Sequence, residues 1–223
     1  MPKFIVKNKI IQGFVNRYFP QGSITQYFGE NVALYSKICV AENQCLYGGH
    51  NGIDIVAPWG TEIFSVEDGI VVETKESPNG YGKHVRILSM DRNREWIYGH
   101  LAEIRCVLGQ TIGTKACLGT MGNTGFVVSG PTPFWKYNPY AGTHCHLGLR
   151  LFKEWNGEGT YNMSYPNGTK GTILNYDNGF LGSVNFGFEE SEEDEKMQKQ
   201  LTVISLANQV ISLLKLLLKA KGR

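Results

Sequence analysis

Between residues 20 and 155 apolar and polar positions trade places every second residue or gather in short apolar blocks. Gly, Pro, Asn and Asp close these blocks at intervals. Alternation over a few residues, bounded by such breakers, marks strands with one face in a core. It predicts strands at 23–28, 52–56, 62–65, 69–73, 84–89, 94–98, 116–119 and 147–152. Turns are expected at Pro20-Gln21-Gly22-Ser23, Pro78-Asn79-Gly80 and Asp91-Arg92-Asn93. Before this region, residues 1–19 hold two short apolar stretches, 4–6 and 10–15, expected to cover an edge of the sheet. After it, 156–185 is rich in Gly, Asn and Tyr, with weak strand signals at 171–174 and 180–184. It reads as an irregular extension, with Phe180, Leu181 and Phe186 packing back on the core.

The period changes in the tail. Val203, Leu206, Ala207, Val210, Leu213, Leu214 and Leu217 recur at helical spacing, and Ile204, Ile211 and Leu218 widen the apolar stripe. An acidic run, Glu189 to Glu195, precedes this helix, and Lys215, Lys219 and Lys221 lie towards its end, as the helix dipole favours. A helix this apolar needs a partner: self-association as a bundle first, docking on another protein second, a membrane surface third. The pattern therefore predicts a mainly β chain with a C-terminal amphipathic helix. Its segments are an N-terminal extension (1–19), a β domain (20–155), an irregular extension (156–188), and an acidic hinge with an oligomerisation or docking helix (189–223).

Composition narrows the classes. With 223 residues and 42% hydrophobic content the chain can bury a real core. A net charge of +2 is too small to argue for nucleic acid, although it would not repel an anionic polymer. No run of eighteen apolar residues precedes the tail, so no transmembrane span is expected. The first nineteen residues do not read as a secretory signal. The five cysteines, Cys39, Cys45, Cys106, Cys117 and Cys145, do not form a disulfide framework. Cys39 and Cys45 share a loop and could pair; free buried thiols are the preferred reading.

Four of the five histidines fall in three places: His50, His100, and His144 with His146. His50 and Asp54 are four apart, but Gly48, Gly49, Gly52, Pro58 and Gly60 argue against a helix there. On an extended chain both would point the same way, as would His144 and His146, while Cys145 would turn into the core. Two strands that each present such a pair can enclose one ion. Imidazole and carboxylate donors suit zinc, and three protein ligands leave a position for chemistry. The helical His-Glu-x-x-His arrangement is absent. His84 is expected at a surface or strand-edge position.

These stretches carry a resemblance. Gly49-His50-Asn51-Gly52-Ile53-Asp54, Tyr98-Gly99-His100-Leu101 and Gly142-Thr143-His144-Cys145-His146-Leu147 resemble the motifs of LytM/lysostaphin-type (M23) zinc endopeptidases of bacterial cell walls. Gln26-Tyr27-Phe28-Gly29, Pro58-Trp59-Gly60-Thr61 with Asp68-Gly69, and the glycine-rich turn Gly119 to Gly125 are similar to further family features. The resemblance implies that the strands form a twisted antiparallel sheet with groove-lining loops. It implies one zinc ion on His50, Asp54 and His146, with His100 and His144 in catalytic roles. It implies hydrolysis of peptide bonds in peptidoglycan stems or cross-bridges, with peptidoglycan as the partner. The alternative is a non-catalytic peptidoglycan-binding or activator module, since the family contains members that have lost site residues. Action at the cell wall without a recognisable signal would suit a phage-released or virion-associated lysin, or export by another route. The long loop 30–49, with Tyr47 in it, is expected as one wall of a substrate groove, and the aromatic insertion 126–142 either as another wall or as a self-packed surface loop.

Overall fold

A computed structural model describes residues 9–35, 48–129, 132–133, 138–154, 162–174, 176 and 180–185. In chain order these form α1 (Lys9–Tyr18), β1 (Ser23–Gln26), α2 (Val32–Tyr35), β2 (Ile53–Val56), β3 (Glu62–Phe64), β4 (Gly69–Lys75) and β5 (Lys83–Ser89). Then follow β6 (Arg94–Ile104), β7 (Thr111–Ile112), β8 (Cys117–Met121), β9 (Val128–Ser129), β10 (Thr132–Pro133), β11 (Cys145–Glu154), β12 (Asn162–Ser164) and β13 (Lys170–Ile173). All described residues fall within the unit Met1–Gly187. The acidic run and the C-terminal helix expected at 189–223 lie outside the described residues, as do Cys39, Cys45, Tyr47 and Phe186.

Among the described residues eleven strands share one antiparallel sheet, with the order β1-β2-β11-β6-β5-β4-β7 along its main path. The strands are rich in β-branched and aromatic residues, which fit a pleated half-buried surface. Registers are continuous across the middle: Leu147 pairs with both Ile53 and Tyr98, and Tyr98 pairs with Val85. Paired residues share a face. One face thus carries Ile53, Ile55, Cys145, Leu147, Leu149, Trp96, Tyr98, Val85 and Ile87, all buried in the main core. Each fully buried Ile or Leu there stabilises the fold by about 1.5–3 kcal/mol. The opposite face carries Asp54, His146, Gly148, Arg150, Gly99, Ile97, Glu95 and Arg86. That second face holds the candidate chemistry.

The apolar stretch 10–15 belongs to helix α1, which packs against β1 at the end of the strand order. Phe14, Val15, Tyr18 and the following Phe19 fall on one side of α1, and Val15 and Phe19 are fully buried in the main core. Phe14 stacks on Trp96 of β6, with ring centroids 6.3 Å apart. Pro20 then ends the helix. Residues 162–173, expected as irregular, form the hairpin β12–β13, which extends the sheet through β13 on β11. Tyr165 and Ile173 bury Val72, Leu88 and Phe152 in a second apolar cluster. Leu181 is buried, and the ring of Phe180 lies 4.5 Å from that of Phe28, so this part of the extension does pack back. Cys106, Cys117 and Cys145 are free thiols. Among the described residues no helix is long and apolar enough to cross a membrane.

Candidate active site

Asp54 on β2 and His146 on β11 are direct cross-strand partners. Such pairs bring side chains of the same face within reach of one another, and His146 Nδ1 lies 3.2 Å from Asp54 Oδ1. His50 precedes β2 in a glycine-bounded loop and swings its ring back over the strand. His50 Nε2 is 3.0 Å from Asp54 Oδ1 and 2.9 Å from His146 Nδ1. The three donor atoms thus converge on one point, and all three residues are buried. His50 Nδ1 faces the carbonyl oxygen of Tyr27 at 3.3 Å. Donating a proton there leaves the Nε2 lone pair for the convergence point, a common arrangement for a ligating histidine. Gly52 makes the approach possible: a Cβ on it would meet Leu147 O at 2.5 Å and His146 Nε2 at 2.7 Å.

Electrostatics favour a cation at that point. Burial disfavours the Asp54 carboxylate, but the His50 and His144 charges and hydrogen bonds from His146 and His50 outweigh it. The carboxyl therefore sits well below its ordinary range. Burial pushes His146 down to about 4, against the pull of its Asp54 hydrogen bond, so its ring is neutral at physiological pH. A neutral imidazole and an ionised carboxylate are the forms that bind metal. Nitrogen and oxygen donors with one carboxylate suit a divalent transition metal, so His50, Asp54 and His146 fit such an ion.

His100 and His144 face the same point from the other wall. Their rings are 4.6 Å apart, and His144 Nε2 is 3.7 Å from Asp54 Oδ2. Each ring is oriented through Nδ1, which donates to a backbone carbonyl: His100 to Thr124 O and His144 to Gly142 O, both at 2.7 Å. Both Nε2 atoms are left for the cleft. Burial, with the His144 and His146 rings close by, holds His100 well below its ordinary range, so its neutral form dominates. His100 has φ 61°, unusual for a residue with a side chain. The cause is a bulge: Lys83 pairs with Leu101 and Val85 with Tyr98, so β6 carries one residue more than β5. His144 is held just before β11 by its bridge to Gly122.

All five predicted site residues therefore line one cleft of about 400 Å³. Cys145 points into the core as strand parity requires, and burial raises its thiol pKa, which removes it as a nucleophile. His84 is not at a surface or edge. β5 pairs on both sides, and His84 is 4% exposed, with Nε2 3.3 Å from Glu73 Oε1. The sequence reading also passed over Tyr81 and Thr124. Tyr81 accepts a hydrogen bond from Asn51 Nδ2 at 2.9 Å, and its ring lies 5.1 Å from that of His146. Its carbonyl accepts from the His100 backbone N–H at 2.7 Å. Thr124 orients His100 and also hydrogen-bonds Lys83 N and Leu101 O. The glycines flanking Tyr81 and following Thr124 were the available signal. The aromatic insertion's residues 134–137 lie outside the described residues.

The family profile of Peptidase family M23 matches residues 48–155, the segment that holds all five residues. This segment belongs to peptidase family M23. Over 82 residues the chain is 34% identical to the peptidoglycan DD-endopeptidase ShyA of Vibrio cholerae, an alignment covering 37% of this chain and 18% of that protein. Over 79 residues it is 34% identical to an uncharacterized metalloprotease of Buchnera aphidicola, covering 34% of this chain and 20% of that protein. The matches thus span about a fifth of the length of these curated relatives. Among solved structures, the catalytic domain of the prophage-encoded M23 protein EnpA from Enterococcus faecalis is 25% identical, with a TM-score of 0.44, covering 69% of this chain and 89% of that one. The M23 segment in this chain thus spans β2 to β11, and α1, β1, β12 and β13 lie outside it.

Proposed function

We propose that this protein is a zinc-dependent endopeptidase that hydrolyses peptide bonds in the stems or cross-bridges of bacterial peptidoglycan. The observation that carries this reading is the convergence of His50 Nε2, Asp54 Oδ1 and His146 Nδ1 in an M23 segment, beside two histidines whose Nε2 atoms face the same cleft. Those three residues would hold the ion. When bound, zinc polarises a carbonyl oxygen and lowers the pKa of water. The protein's own groups do the rest. A neutral imidazole among His100 and His144 accepts the proton of the attacking water and passes it to the leaving amine. The other, when protonated, donates from Nε2 to the carbonyl oxygen as charge develops there. The backbone carbonyls at Nδ1 keep both rings in the orientation this requires.

The test is metal content together with product release. The purified chain should carry one zinc and release free amino groups from purified peptidoglycan. Chelation should stop release, and added zinc should restore it. Zinc binding without release would leave a non-catalytic peptidoglycan-binding or activator module of the same fold.

A further inference from the structure

Among the described residues three aromatic side chains are exposed, Trp59 at 40%, Phe126 at 48% and Tyr140 at 61%; the other exposed large hydrophobic side chains are aliphatic. One of them lines the cleft and the other two lie beside its wall. Phe126 is the one that lines it. Trp59 and Tyr140 form an edge-to-face pair with centroids 5.3 Å apart. Tyr140 joins the cleft wall through its carbonyl, which accepts from Thr143 Oγ1 at 2.6 Å, and Thr143 lines the cleft. Trp59 lies on the same side: Gly60 N donates to Met121 O, and the next residue, Gly122, bridges His144.

Both rings are presented on fixed turns. Trp59 sits in the turn 58–61, closed by Thr61 N and Oγ1 on Pro58 O at 3.1 and 2.7 Å, with Gly60 at φ 81°. Tyr140 sits in a loop held from below by buried Asn123, whose Nδ2 donates to Pro139 O and Ala141 O at 3.0 and 2.8 Å. Exposed aromatic surface is unfavourable in water, and concentrating it on rigid turns at one cleft mouth is the signature of a binding surface. In an edge-to-face pair one face of one ring is covered by the edge of the other, and the remaining faces stay open. The apolar C–H face of a pyranose ring fits such a surface, whereas its hydroxyls stay in water.

We propose that Trp59 and Tyr140 form a stacking platform for a sugar ring of the glycan strand whose peptide stem enters the cleft. This rests on the peptidoglycan reading above and adds the part of the polymer that the cleft itself does not hold. A stem peptide alone would fill the cleft and leave the platform bare.

The test separates the two claims. Glycan strands freed of their peptide stems are titrated into the full-length protein, without any cleavage being required. Wild type should bind them. Trp59→Ala and Tyr140→Ala should each weaken binding by about tenfold, the size of one lost aromatic stack, and Trp59→Phe should retain most of it. On intact peptidoglycan both alanine variants should lose more of kcat/KM than on a glycan-free stem peptide. Thermal melts matching wild type would show that neither exposed substitution unfolds the chain. Wild-type protein that ignores peptide-free glycan, or variants that lose both substrates equally, overturns the platform even if hydrolysis is confirmed. Glycan binding that depends on Trp59 in a chain that cleaves nothing would uphold the platform and sink the hydrolase reading.

Discussion

His50, Asp54 and His146 are placed to present one donor atom each, whereas His100 and His144 are placed to present a proton-accepting nitrogen each. The two groups should therefore fail differently. Asp54→Asn removes the carboxylate's charge and should weaken zinc affinity by at least about tenfold. His100→Ala should leave zinc affinity unchanged and lower kcat/KM by about 10²–10⁴-fold, the range of a lost general acid–base group. A competition titration with a chromophoric chelator, run beside hydrolysis rates, distinguishes them; zinc loss in the His100 variant would contradict its placement. The meeting of these five residues in one cleft was legible in the sequence because strand parity and glycine-rich flanks constrain them, and because the three motifs occur together in one order. His84 was not legible. Its alternating neighbours look like an edge strand, and only the pairing of β5 on both sides shows that it is buried.

Elements set the aim of those residues. The bulge in β6 turns His100 into the cleft, and two tight turns lock it there. Gly82 has φ 63°, and a Cβ on it would sit 2.3 Å from the carbonyl carbon and oxygen of Thr124. Gly125, at φ 80°, meets Gly82 N at 2.2 Å in the same way. Gly82→Ala should thus destabilise the chain by about 1–3 kcal/mol, read as a lower urea midpoint. It should also cut kcat by displacing Thr124 from His100 while zinc content stays at one per chain. An unchanged kcat would show that the turn does not position His100. Central strands were legible because alternation and turn residues agree there. The helix α1 was not: Ile10 to Val15 is too short a run to separate a helix from a strand by period. The hairpin β12–β13 was half visible, since Gly, Asn and Lys weaken the strand signal in both of its strands.

Across the whole molecule the sheet divides labour between its faces. One is the core; the other runs from the candidate metal site to a buried charge network under the β12–β13 hairpin. There Arg86 Nη1 lies 2.9 Å and Arg150 Nη1 3.4 Å from Glu95 Oε1, and Tyr165 donates to Glu95 Oε2. Glu73 joins through His84 and Arg86. No sequence pattern announces this network, because its members come from five separate strands or loops and meet only through register. Glu73 is held below its ordinary carboxyl range by the His84 hydrogen bond and by Arg86, against the opposing effect of burial. Its contribution to stability is therefore complete above the unfolded value of about 4.3 and is lost as pH falls through the lower folded value. Glu73→Gln should lower the urea midpoint at pH 7, and the gap from wild type should narrow by pH 3; a constant gap would contradict the network's role. The hydrolase reading rests on the other end of that face. Mass spectrometry of fragments from purified peptidoglycan, incubated with the zinc-replete chain, with the chelated chain and with His146→Ala, tests it most directly. New peptide amino and carboxyl termini should appear with the zinc-replete chain alone. Peptidoglycan left intact by that chain, or cut equally by His146→Ala, would contradict it.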